Sequence, residues 1–187
     1  MLIAQQKRQE NIAEYLLYMW QVEDLLRACA LDDEKIDATL VRRFAAMPGM
    51  TDERLAEIRR WYTDLAQMMR SEGKQQSGHL QINQNVIIDL TDLHLRLLRQ
   101  KKDAVYTAAF YSTLPHIVEL RAREGEAKIG ELETCFMALY GLMTLRLEGR
   151  EVSDDTRAAM QQIAKFLALL SDRYRQWKAG ELDMDEE

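Results

Sequence analysis

A chain of 187 residues, 47% hydrophobic and 30% charged, is long enough to bury its own core and has the balance expected of a globular protein rather than of a disordered or membrane chain. Its formal net charge of −6 argues against non-specific nucleic-acid binding, which needs a strong positive field. With only eight Gly and two Pro among many Leu, Ala, Glu, Gln, Arg and Met residues, the expected fold is all-α.

The first predicted helix runs from Gln5 to Cys29. Ile12, Tyr15, Leu16, Met19 and Leu26 fall within one arc of roughly 100°, and flanking apolar residues widen it beyond what a surface helix needs. Glu23 projects into the middle of that arc, between Leu16 and Met19. Asp32 or Asp33 caps a short second helix over Glu34 to Ala46, stopped by Pro48 and Gly49. Thr51 caps a third, with a stripe of Leu55, Ile58, Tyr62, Leu65 and Met69. The segment from Ser71 to Gly78, small and polar, reads as the most mobile internal loop.

From His79 to Lys102 the pattern is again helical, and two polar residues, Asn83 and His94, point into its apolar arc. Asp103 caps a new helix or lies inside a continuous one. Pro115 predicts a kink or break near Thr113, with the helix ending at Gly125. A further helix from Ala127 to Glu148 carries Arg146 within its apolar arc, and Ser153 opens the last one, which stops at Gly180. The sum is a compact bundle of about six to seven helices packed around the N-terminal helix. It is read as one domain over residues 1–180 with an acidic, flexible tail over 181–187.

No phosphate-binding glycine loop, nucleophile elbow, paired-histidine motif or cysteine pair occurs, so neither a metal site nor a cofactor is expected. His116 and Glu119 form the nearest approach to a metal-binding spacing, and a contact between helix neighbours explains them. Cys29 and Cys135 read as buried free thiols. The longest apolar run, Tyr15 to Trp20, is far too short to span a bilayer, so a cytoplasmic location and no membrane contact are expected. The basic residues from Arg96 to Lys102 come without helix-turn-helix spacing, and no nucleic-acid partner is expected.

Four polar residues on apolar arcs are the candidate site: Glu23, Asn83, His94 and Arg146. A buried charge needs a partner, and the expected arrangement pairs Glu23 with Arg146, His94 or both. The same groups form either a structural network or the lining of a ligand pocket between helices.

Over IAQQKRQENIAEYLLYMWQVEDLLRA the chain resembles the opening of an uncharacterised bacterial family of helical proteins of about this length. The resemblance extends over the whole chain and is most specific from Gln5 to Arg27. It implies a single intracellular helical domain, and no activity, cofactor or catalytic residue. Two functions follow. The first is a non-enzymatic domain acting through protein contacts, as a homo-oligomer or by binding a partner, for which a large exposed apolar patch would speak. The alternative is a small-molecule binding protein or enzyme using Glu23, His94 and Arg146.

Overall fold

A computed structural model describes residues 2–124 and 129–182, and helices with no strand make up the fold among these residues. In chain order they are α1 (Leu2–Glu10), α2 (Ile12–Ala28), α3 (Asp33–Ile36), a π-helical turn (Asp37–Val41), α4 (Arg42–Ala45), α5 (Asp52–Ser71), α6 (Gln81–Gln100), α7 (Ala104–Glu124), α8 (Glu131–Leu147) and α9 (Asp154–Lys178). They form two compact units, Met1–Arg8 with Glu14–Asn85, and Gln9–Ala13 with Val86–Glu187.

In the first unit α3 and the π turn pack on α5. Leu16, Met19 and Leu26 of α2 are buried as their arc requires, together with Trp20, Ile36, Leu40, Val41, Tyr62 and Met69. The π turn explains how the adjacent Leu40 and Val41 both face inward, because a wider turn shifts the helical register by one residue. Asp37, at its start, lies 2.7 Å from the Arg59 guanidinium, whose hydrogen bond holds the carboxyl below its ordinary range. Asp32 and Thr51 cap α3 and α5 through their side chains, as expected. After α2 the chain turns through Ala30 and Leu31, both at positive φ, and the Leu31 N–H bonds back to the Leu26 carbonyl. Burial of the Leu31 side chain offsets that strain.

In the second unit α7, α8 and α9 pack on one another. Tyr106, Phe110, Ile117, Phe136, Ile163 and Phe166 fill the space between them.

One expectation about continuity is corrected, and at two other joints the structure narrows the alternatives. The stretch from Gln5 to Cys29 is not one helix: it breaks at Asn11, whose Oδ1 accepts from the Ala13 N–H at 3.1 Å and starts α2 afresh. At the other uncertain joint, Lys101 takes a left-handed φ and the Asp103 carboxylate accepts from the Tyr106 N–H at 2.9 Å, so Asp103 caps a new helix. Pro115, in contrast, lies inside α7, which runs unbroken from Ala104 to Glu124. The Ser112 and Thr113 hydroxyls both donate back to the Ala109 carbonyl within the helix. The expected helix end at Gly125, the start at Ala127 and most of the acidic tail lie outside the described residues.

Candidate functional site

Glu23 sits on the buried face of α2 with no solvent exposure. Its Oε1 accepts from the Leu80 backbone N–H at 3.0 Å and from Asn83 Nδ2 at 2.7 Å. Its Oε2 lies 2.6 Å from His79 Nδ1 and 3.9 Å from the Arg27 guanidinium. The backbone amide and the side-chain amide are obligate donors, so Oε1 is an acceptor, and an ionised carboxylate makes His79 the donor through Nδ1. The Trp20 ring stacks on the His79 imidazole at a centroid distance of 4.1 Å and an interplanar angle of 10°. Arg27 then extends the cluster into the loop before α6, donating to the carbonyls of Lys74, at 3.2 Å, and Gly78. The segment expected to be the most mobile is thereby held at two carbonyls and at its junction with α6.

Of the four candidate residues, the structure joins only Glu23 and Asn83. His94 is buried in the second unit, where Nδ1 lies 2.7 Å from the Tyr106 hydroxyl and the ring makes edge contacts with Phe110 and Phe166. Burial lowers its pKa to about 4 and pushes that of Tyr106 up, so near neutral pH the imidazole is uncharged and the phenol keeps its proton. His94 Nε2 has no hydrogen-bond partner but lies 3.8 Å from Glu131 Oε2, which favours the tautomer with the proton on Nε2 and the Tyr106 hydroxyl donating to Nδ1.

The expected pairing of Glu23 with Arg146 or His94 is corrected: three hydrogen-bonding groups of its own unit and the Arg27 guanidinium surround Glu23, and the Arg146 side chain is exposed in the last turn of α8. The physical reason lies in α8 itself. It carries no charged residue from Thr134 to Leu145 and is apolar around most of its circumference, so projection could not identify an inward face for Arg146. Sequence reasoning also missed His79 and Arg27. The signal for Arg27 was its four-residue spacing from Glu23; His79, outside any helix, carried no periodic signal.

The Glu23 cluster holds α2 to the start of α6, with Asn83 Oδ1 left without a hydrogen-bond partner, and the His94 ring is closed off by aromatic side chains. Among the described residues no group of three or more His, Cys, Asp or Glu gathers as a metal site. Cys29 and Cys135 are free and buried, and burial above all pushes the Cys135 thiol up to about 12, which leaves it without nucleophilic thiolate near neutral pH.

Two surface features stand out instead. The first unit has a cleft of about 450 Å³ between α1, the turn after α4 and one side of α5, lined by Ile3, Phe44, Met47, Met50, Ile58 and Trp61 and edged by the α5 charges Arg54, Glu57, Arg60 and Asp64. In the second unit the outer face of α7 presents Ala104, Val105, Ala108, Tyr111, Pro115 and Val118 to solvent, with Val105 66%, Tyr111 61% and Val118 57% exposed. No Asp, Glu, Lys or Arg occurs between Asp103 and Glu119, so this face is uncharged over about 22 Å of helix.

No helix of the described residues is long and apolar enough to cross a membrane. Comparison with curated proteins and with solved structures gives no match. A family model does match, over residues 1–181, and the chain belongs to that family, described as Domain of unknown function (DUF4924).

Proposed function

We propose that this chain is a non-enzymatic cytoplasmic domain that works through protein contacts, with the outer face of α7 as its contact surface. The observation that carries the reading is the uncharged stripe of Val105, Tyr111 and Val118, each more than half exposed. Scattered surface apolar residues are ordinary, but a helix normally turns charged residues to water on the side opposite its buried face. The buried side of α7 holds Tyr106, Phe110, Thr113 and Ile117, and the opposite side repeats an apolar pattern at the same helical spacing. Desolvating that face on a protein partner strands no charge, and Tyr111 supplies the kind of aromatic anchor that dominates binding energy.

The test compares affinity capture from native extract by the wild-type chain and by the double variant Tyr111→Glu with Val118→Glu. Both positions are exposed, so the variant keeps its melting temperature. A discrete set of proteins held by the wild type and lost from the variant supports the reading; identical captured sets contradict it.

A second reading, a small-molecule site, draws support from two buried atoms without hydrogen-bond partners, Asn83 Oδ1 and His94 Nε2. They belong to different units and would mark separate sites, and Arg146 adds nothing to either because it is exposed. Native mass spectrometry of the purified chain tests this reading: a stoichiometric metabolite supports it, and the bare mass of the chain contradicts it.

A further inference from the structure

We infer that the cleft of the first unit receives a second copy of this chain, seated antiparallel along α5. The inference goes beyond the protein-contact reading and uses none of the α7 residues.

The charges on the cleft rim carry it. Arg54 donates to the Gly49 carbonyl at 3.1 Å, but the side chains of Glu57, Arg60 and Asp64 have no ion pair or hydrogen bond among the described residues. Their spacing would allow Glu57 to meet Arg60, and Arg60 to meet Asp64, within the helix. These charges are therefore left free at the edge of an apolar cleft, where a partner's charges would find them.

Their order identifies the partner. Along α5 the charges that line the cleft run plus, minus, plus, minus at Arg54, Glu57, Arg60 and Asp64, within an arc of roughly 120°; Glu53, in the same arc, does not line the cleft and turns back to Thr51 and its own backbone at the helix start. Such a helix is complementary to a reversed copy of itself. A two-fold axis crossing α5 at the level of Arg59 sets Arg54 at the height of Asp64 of the second copy, and Glu57 within about 1.5 Å, one residue's rise, of the height of Arg60 of the second copy. Two-fold symmetry repeats both pairs, whereas a parallel arrangement in register would set like charges side by side. Ile58 and Trp61 lie close to the axis, and Met47 and Met50 give the cleft side chains that adapt to a partner's shape. The net charge of −6 makes two copies repel at long range, so local pairing decides whether they dock and in which register.

Sedimentation equilibrium on the wild type, on Glu57→Arg and on Arg60→Glu tests the proposal. Both positions are exposed, so unchanged circular dichroism and melting temperature will show that the variants fold. The wild type is expected to dimerise, and each variant to do so about tenfold more weakly, because each sets like charges together twice. An equimolar mixture of the two variants is expected to recover the wild-type affinity, since each supplies the sign the other lacks. Three results overturn the proposal: a wild type that stays monomeric at every concentration, as when another protein or a small apolar molecule fills the cleft; variants that dimerise as tightly as the wild type; or a mixture no tighter than either variant alone. Tyr111→Glu leaves this dimer intact, so failure of the α7 reading and failure of this one are told apart; loss of the dimer in that variant also overturns the α5 docking.

Discussion

Glu23, Asn83 and His94 were legible in the sequence as polar groups facing inward, because each interrupts a regular apolar arc. Their partners were not, since a helical projection places a side chain on a face and is silent about which segment meets it. Glu23 finds His79 and the Leu80 amide in the segment that ends just before α6, while His94 finds Tyr106 twelve residues ahead. The consequence for Glu23→Ala is the loss of an acceptor for three buried or half-buried donors, and chemical denaturation is expected to show a destabilisation of roughly 3 to 5 kcal/mol. Arg146→Ala, at an exposed position, is expected to stay within about 0.5 kcal/mol of the wild type. His94 adds a pH dependence. Its folded pKa of about 4 lies below the ordinary 6.5, so between those values the unfolded chain binds the extra proton and stability rises with pH. The contribution is complete above pH 6.5 and is lost as pH falls towards 4, with a span of up to roughly 3 kcal/mol. Denaturation of His94→Gln across that window is expected to show a flatter slope than the wild type; parallel slopes would contradict the burial account.

At the scale of elements, periodicity located most of the helices, and local hydrogen bonding decided their joints. Asn11 breaks the first predicted helix because its side chain offers the backbone an alternative acceptor, and Pro115 fails to break α7 although proline was the stronger signal on paper. Thr113, buried and bonded to the Ala109 carbonyl, belongs to a helix held on that side by Tyr106, Phe110 and Ile117, and this packing outweighs the donor lost at Pro115. The burial of α2 makes Leu16→Ala costly, about 2 to 5 kcal/mol by denaturant unfolding, through lost transfer energy and the cavity left behind. The loop before α6 was read as mobile from its composition, which omits Arg27. With that guanidinium on the Lys74 and Gly78 carbonyls, limited proteolysis of the wild type is expected to spare residues 72–78, and Arg27→Ala to open them as an early cut.

For the whole molecule, composition and patterning were enough to give an all-α fold, because few residues stop helices and most apolar positions recur at helical spacing. Function was less legible, since the two features that point to contacts are relations among surface residues. The free charges of α5 become informative only beside the cleft they edge, and the bare face of α7 only once its opposite side is known to be buried. The low polarity of α7 was visible in the sequence, but a helix that is apolar all round is read first as a buried one. Methyl NMR of the isotopically labelled chain, alone and in native extract, tests the contact reading most directly. The prediction is that the Val105 and Val118 methyl signals shift or broaden in extract while that of the buried Val41 stays in place, and that Tyr111→Glu abolishes the change. Unperturbed Val105 and Val118 signals in extract would contradict it.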